Sequence, residues 1–494
     1  MVPYGPTPVF ETPPTGGLSD YVHGLGVAER AARGRAARKT RARRDLGIVA
    51  DLQRDPCAIL SAQEQVRVPN LVSLRHQRMG ADPFAFLRGS AAVMAADLRS
   101  QPTTGLMTQL CGDAHLANLG MFAGPDRRII FDINDFDETA PGPFEWDVLR
   151  LATSFAVAAT ATGHQRALAT ELPAIVATAY QQAMAMFSSM NDLDVWYYRI
   201  DTDLMRRWAR EWASGKAAER AVTESEAQAR SRDRWSAVRS LTYLDGDRRR
   251  FKSRPPLLTP LEADPEVRSV VGMMFHAYRS TLQPDRRELL GRYFVIDVGH
   301  KVVGVGSVGL LAFVLLLQGR DDDDLLVLQV KQAVDSVLDD PVGAMGGHEH
   351  GKRVVVGQQL MQAASDSFLG WVDGPRGRSF YVRQLRDMKQ SADLTTMRPD
   401  GYRAYARLCG MALARAHARA GDSVAIAAYL GSSTAFAKGV TAFALEYAER
   451  NDEDYRAFRA GVADGRLVKP SGDGILPHLR VEEDGSVLLS TPIG

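Results

Sequence analysis

The sequence predicts an α+β protein of two lobes, one large and helical, the other smaller and built on an antiparallel sheet. Three observations carry that expectation. Gly105 to Ile133 alternates short β-prone runs with tight turns and leads into an acidic cluster. Arg292 to Val334 is again strand-like, with glycines at 304, 306 and 309. From Leu149 to about Leu290, and again from Tyr402, apolar residues recur three and four apart, as in buried helices.

Composition sets the frame. The chain has 494 residues, 45% apolar and 24% charged, with a formal net charge of +1, ordinary values for a globular chain long enough for two or three packed units. A balance so close to neutral gives no global attraction to nucleic acid or membrane. The three cysteines, Cys57, Cys111 and Cys409, form no C-x-x-C pair, which speaks against a disulfide framework or a zinc site. The first residues lack the basic and apolar regions of a secretory signal. No apolar run reaches the roughly 18 to 20 residues of a membrane span. The expectation is a soluble, cytoplasmic protein.

Residues 1 to 54 read as an N-terminal extension. Met1 to Asp20 is rich in Pro, Gly and Thr, and Glu29 to Arg44 packs eight Lys and Arg into one helical stretch. That arm reads as a solvated basic face; RNA, an anionic membrane or an acidic partner is the alternative, and the lack of interleaved aromatics weakens the nucleic-acid case. From Arg67 the text gives a proline turn and an Ala-rich helix from about Pro83. Arg75, Arg78 and Arg88 precede the central stretch, and Arg88 offers a guanidinium fork either to a phosphate or to a structural carboxylate.

The central stretch is Leu110 to Arg150, LCGDAHLANLGMFAGPDRRIIFDINDFDETAPGPFEWDVLR. A hairpin turning at Gly124-Pro125-Asp126 returns the Asn134 to Glu138 cluster beside the Gly112 to Asn118 loop. Two carboxylates and an amide then converge. Phosphoryl transfer needs such a set, with Mg²⁺ on a carboxylate and an amide oxygen and a second carboxylate toward the attacking hydroxyl. Asp113 and Asn118 have the D-x-x-x-x-N spacing of a kinase catalytic loop, and Asp135 stands where a metal-binding Asp would follow. His115 either orients Asp113 or a phosphate, or is a structural loop residue. Asp132 and Asp137 read as supporting groups. The competing reading is plain turn chemistry, since Asp, Gly and Asn are turn formers.

In GDAHLANLG and FDINDFDETAPGPFEWDVLRLA the chain resembles the protein-kinase-like phosphotransferases, with the GD-x-H-x-x-N and I-D-F-D pattern of aminoglycoside and choline kinases. More closely it looks like a bacterial family, domain-of-unknown-function family 2252, from about Asp55 to the C-terminus. The resemblance implies a kinase-like fold, ATP and Mg²⁺ as cofactors, and a bracing role for Asp147 under the catalytic loop. It implies no substrate. Cys111 replaces the usual His before Gly-Asp, which removes a structural hydrogen-bonding group.

The later β region completes the set. Gly304-x-Gly306-x-x-Gly309 lies between two apolar runs, and Lys331 ends the next one in Leu-Gln-Val-Lys, the layout of a nucleotide lobe whose glycines cover phosphates and whose lysine neutralises them. The rival is a Rossmann turn, which makes Leu310 to Gln318 a helix and requires an acidic residue after the following strand; that strand ends in Lys331. Lys352 to Ala364 is the candidate for the helix whose Glu pairs with the lysine, but it has no Glu, so the pairing is either non-standard or made by Gln359, Gln362 or Asp366. His348 and His350 read as a surface loop. Ser379 to Leu385 is the strand leading to the adenine-binding hinge, and Tyr402 to Arg419 resembles the helix that delivers the chain to the catalytic loop. From Ser471 a short β tail is expected.

These parts stand in rotated order, which predicts a circularly permuted, two-lobed kinase-like fold. The expected units are 1–54, the catalytic-loop and helical lobe 55–290, the nucleotide-binding β lobe 291–386, and the remaining helices 387–494. The expected activity is ATP- and Mg²⁺-dependent phosphotransfer to a small molecule or a protein hydroxyl. Asp113, His115 and Asn118 are the candidate catalytic residues, Asn118 and Asp135 the metal ligands, and Gly304, Gly306, Gly309 and Lys331 the nucleotide site. An inactive nucleotide-binding scaffold and an AMP transferase are the alternatives.

Overall fold

The computed structural model describes residues 24–50, 53–212, 216–232, 234–261, 265–302, 304–339, 349–385, 388–467, 479–481 and 487–489. The expectations for residues 1 to 20 and for His348 lie outside them. Within these residues the chain is mixed α+β, with seventeen helices and antiparallel sheets.

Helix α1 (Val27–Thr40) precedes four short helices, α2 (Pro56–Glu64), α3 (Pro69–Met79), α4 (Pro83–Gly89) and α5 (Ala91–Arg99). Proline occupies the first turn of α2, α3 and α4, where an N–H has no helical partner anyway. The Asp82 carboxylate accepts the Ala85 N–H at 2.8 Å and caps α4. The Ala-rich helix expected from Pro83 is broken at Ser90, whose hydroxyl donates to the Phe86 carbonyl at 2.8 Å.

Strands β1 (Met107–Leu110), β2 (Leu119–Ala123), β3 (Ile129–Ile133) and β4 (Ala140–Pro143) follow. β2 and β3 form the expected hairpin, with Leu119 opposite Ile133. Its turn is closed by the Gly124 N–H on the Arg128 carbonyl at 2.9 Å. β1 pairs with β4, so the loop between β1 and β2 is anchored at both ends.

Helices α6 (Phe144–Ala161), α7 (Arg166–Phe187), α8 (Asp192–Tyr197), α9 (Thr202–Trp212), α10 (Lys216–Ser231) and α11 (Arg234–Leu241) come next. The helical reading then fails for β5 (Thr242–Asp245), β6 (Arg248–Phe251) and β7 (Leu258–Pro260). Asp245-Gly246 is a hairpin signal, with Gly246 at φ 59, and it puts Arg248, Arg249 and Arg250 on a strand instead of a helix face. Helices α12 (Pro265–Ser280) and α13 (Pro284–Leu290) lead into β8 (Phe294–Lys301), β9 (Ala312–Gln318) and β10 (Leu325–Ala333). After α14 (His350–Met361) come β11 (Gly370–Asp373), β12 (Ser379–Gln384) and β13 (Gln390–Ser391), then α15 (Pro399–Ala420), α16 (Ser423–Leu430), α17 (Ala435–Ala463), β14 (Leu479–Val481) and β15 (Val487–Leu489).

The main sheet has the order β11-β12-β10-β9-β8-β7 and is antiparallel throughout. Its central strands are apolar on both faces. Leu315, Leu317, Leu326 and Leu328 join one core, and Val314, Leu316, Leu325 and Val327 another, the period of two that a doubly covered strand requires. This is why β9 and β10 read as continuous apolar runs. Residues 312 to 318, a helix under the Rossmann alternative, are a strand in an antiparallel pair.

The basic arm is not a solvated face. Arg30 pairs with Asp422 at 2.9 Å, and Arg38 and Arg43 donate to the Tyr429 and Leu430 carbonyls at 2.9 and 2.7 Å. These are end carbonyls of α16, where cations are favoured. The contact is close because a Cβ on Gly34 would stand 2.0 Å from the Ala425 carbonyl oxygen. Cys57, Cys111 and Cys409 are buried free thiols, and no helix of the described residues is long and apolar enough to cross a membrane.

Candidate active site

β1 delivers Cys111 to Asn118 into a loop held from below. The Asp147 carboxylate on α6 accepts the N–H groups of Cys111 and Gly112 at 2.8 and 3.1 Å, and His417 of α15 reaches it at 3.3 Å. Thr108 bridges to Gly421, so the C-terminal end of α15 lies against the strand that enters the loop. Gly112, at φ 84, is required here, because a Cβ would fall 1.9 Å from the Glu138 carbonyl oxygen.

Asp113 is gripped by Arg150, whose Nε donates to Oδ1 at 2.6 Å. Burial raises the Asp113 carboxyl above its ordinary range, and Arg150 opposes that shift. The His115 Nε2 stands 3.7 Å from Asp113. Burial pushes the imidazole well below its usual value, with Arg88 and Arg150 adding to the effect, so the ring is neutral near pH 7. The Asn118 amide donates to the Asp113 carbonyl at 2.8 Å, which fixes the loop and leaves the side-chain oxygen turned elsewhere.

The second carboxylate segment is tied to the first by the Asn134 N–H on the Asn118 carbonyl at 2.7 Å. Lys331, on β10, stands 3.8 Å from Asp135 and is in direct ion-pair contact with Asp137. The Tyr381 hydroxyl also donates to Asp137. Burial would raise the Asp135 carboxyl, but Lys331, Arg383 and Lys389 outweigh it and hold the group ionised, below the usual carboxylate range. For Glu138 burial outweighs the Val337 N–H and the Arg353 charge, and pushes the carboxyl up to about 7. Burial and Arg383 push Lys389 down to about 8.

Lys331 finds its counter-ions in Asp137 and Asp135, not in Gln359, Gln362 or Asp366. The Gln362 amide donates to the Ile133 carbonyl at 2.6 Å, and Asp366 accepts the Phe368 N–H at 2.8 Å. α14 instead contributes Arg353, which donates to the Asp137 and Val334 carbonyls at 2.9 and 2.8 Å and locks the acidic loop to the end of β10.

The glycine loop joins β8 to β9. Gly304 and Gly309 have φ of 72 and 94. The loop rests on α3: Arg78 donates to the Gly304 carbonyl at 2.6 Å, the Val68 N–H to that of Gly309 at 2.8 Å and Arg67 to that of Val308 at 2.5 Å. Between this loop and the carboxylates is a cavity of about 620 Å³. Gly304, Gly306 and Ser307 border it on one side and Asp113, His115, Asn118 and Asp135 on the other, while Gly309 and Lys331 are not on its wall. Asp137, Glu138, Arg67 and Arg88 also line it.

Sequence reasoning missed Arg67, Arg150 and the shifted Glu138. Arg150 and Arg67 carry no local motif. Glu138 was visible only as the last residue of the acidic cluster.

The searches of curated proteins and of solved structures returned no match. The family described as an uncharacterized protein conserved in bacteria, DUF2252, matches residues 67–461, a span that holds both carboxylate segments, the glycine loop and Lys331. The chain belongs to the DUF2252 family.

Proposed function

We propose that the protein is an ATP- and Mg²⁺-dependent phosphotransferase with a circularly permuted, two-lobed kinase-like fold, acting on a hydroxyl of a small molecule or a protein. One observation carries the reading. Segments far apart in sequence, Asp113 to Asn118, Asp135 to Glu138 and Gly304 to Ser307, border a single cavity, and Lys331 reaches Asp135 from the adjoining strand.

The residues fit the cofactors. Asp135 is held ionised and the Asn118 side-chain oxygen is available, a hard oxygen pair suited to Mg²⁺. Among the described residues no cluster of three or more His, Cys, Asp and Glu side chains forms a ready-made metal site, which agrees with an ion held largely by phosphate and water. Mg²⁺ and ATP would supply the electrophilic phosphoryl group and the charge that stabilises its transfer. Asp113 accepts the proton of the attacking hydroxyl, and Arg150 fixes its orientation. Lys331 lies behind the cavity wall and is ion-paired with Asp137, so it must exchange that partner to reach a phosphate, the observation that favours an inactive scaffold as the second reading.

The test incubates the full protein with Mg²⁺, a metabolite extract or a proteome, and ATP labelled at either the α- or the γ-phosphate. The reading predicts transfer of the γ label, reduced about 100-fold or more in Asp113→Asn. Transfer of the α label indicates AMP transfer, and ATP binding without either transfer supports the scaffold.

A further inference from the structure

Several buried or half-buried arginines among the described residues meet a carboxylate. Arg75 pairs with Glu64, Arg415 with Asp132, Arg150 with Asp113, and Arg54 with Asp97 and Asp454. Arg41 and Arg353 spend their guanidiniums on Gln101 and on backbone carbonyls away from any carboxylate. Among the described residues Arg67 and Arg88 also form no ion pair, and these two line the cavity. Arg67 is 3% exposed, its Nη1 is spent on the Val308 carbonyl, and its Nε is buried without a partner. Arg88 is half-buried, lies over the Phe84 ring at 5.8 Å, and its Nε is also buried without a partner. A buried charge left without a counter-ion is costly enough that it is ordinarily paired.

Their placement is built. The cap at Asp82 and Pro83 fixes α4, whose last turn carries Arg88. Its backbone meets the tip of the glycine loop, where a Cβ on Gly306 would stand 3.1 Å from the Arg88 carbonyl oxygen. Arg67 lies under the same loop, against Gly309. Asp113 and Asp135 are near enough to favour the charge on Arg88, yet burial still drives both guanidinium values down. The same wall carries Ile59, Ala62 and Gln63 of α2, Val66 just beyond it, and Ala92, Ala96 and Arg99 of α5, the last turned to the Val337 carbonyl.

We propose that Arg67 and Arg88 form an oxyanion subsite in this cavity that takes a dianionic phosphate group. Two planar forks without counter-ions match a phosphate in charge and geometry. The phosphate is either the terminal one of a nucleotide or one carried by the acceptor. The subsite stands on the unpaired guanidiniums alone; only the role of its phosphate rests on the phosphotransferase reading.

Calorimetric titration of the full protein with inorganic phosphate, without nucleotide, tests the subsite. Wild type binds one phosphate, Arg88→Gln weakens it about tenfold or more, and Arg88→Lys retains part of the affinity. Arg67→Met weakens it similarly; should that variant fail to fold, Arg88→Gln decides. No phosphate binding by wild type, or binding unchanged in Arg88→Gln, overturns the proposal. An adventitious ion only, held elsewhere on the surface, gives the second of these outcomes. Titrations with ADP and with a non-hydrolysable ATP analogue, in Mg²⁺, then separate the sources. Loss of affinity for the analogue alone places the nucleotide's terminal phosphate on Arg88. Unchanged affinity for both, with phosphate still binding beside the analogue, assigns the subsite to the acceptor. Phosphate binding without any nucleotide binding retains the subsite and rejects the phosphotransferase.

Discussion

The Asp132–Arg415 pair and the Arg67–Arg88 wall are both buried guanidinium environments, and they are built in opposite ways. Arg415 meets Asp132 at 2.6 Å, and the N–H groups of Ile133 and Ala363 complete the carboxylate at 2.8 Å each. Those two charges neutralise one another, though Arg415 Nη1 is buried without a hydrogen-bond partner, and they bind β3 to α15 and to the end of α14. Arg67 and Arg88 face the cavity without a carboxylate. The difference separates charges that hold the fold from charges that await a ligand. Lys331, Asp135 and Asp137 stand between these extremes, ion-paired with one another beside the same cavity.

The largest effect should fall on the closed pair. Asp132→Ala leaves Arg415 buried and uncompensated and should cost about 3–5 kcal/mol, read from denaturant unfolding. Arg88→Gln should change stability by less than about 1 kcal/mol, because no ion pair is lost. Equal losses in the two variants would erase the contrast.

A smaller effect concerns Glu138, which shares the cavity wall. Its folded value near 7 exceeds the 4.5 of an ordinary glutamate. The folded state therefore binds more protons between those values, so stability falls as pH rises from 4.5 to 7 and stays reduced above. Glu138→Gln keeps an oxygen for the Val337 N–H, which Glu138 accepts at 2.8 Å. It should gain roughly 3 kcal/mol over wild type at pH 8 and almost nothing at pH 4.5. An equal gain at both pH values would show that charge is not the cause.

Local chemistry was legible in the sequence, and long-range pairing was not. The β2–β3 hairpin and the Asp113 to Asn118 loop could be read because turn residues and spacing specify them within a short stretch, whereas the bracing Asp147 came only with the kinase-like resemblance. The antiparallel character of β8 to β10 was readable from apolar runs with glycine and acidic turns between them. Arg248 to Arg250 fell within the stretch read as helical to about Leu290, because apolar spacing was weighed above the Asp245-Gly246 turn signal. The basic arm was misread because charge was weighed above its small residues: Gly34 and Ala37, three apart and both buried, mark a packed face among the arginines. Arg67 beneath the glycine loop, Arg150 on Asp113 and Asp137 on Lys331 depend on contacts across 37 to 241 residues of sequence, and no local pattern encodes them.

The central claim is that Asp135, brought beside Lys331 and the glycine loop, holds a metal ion with a nucleotide. Titrating a non-hydrolysable ATP analogue into wild type and Asp135→Ala, each with and without Mg²⁺, tests it most directly. The account predicts that Mg²⁺ tightens wild-type binding at least about tenfold and leaves Asp135→Ala unchanged. Equal metal dependence in both proteins, or no nucleotide binding by wild type, would contradict it.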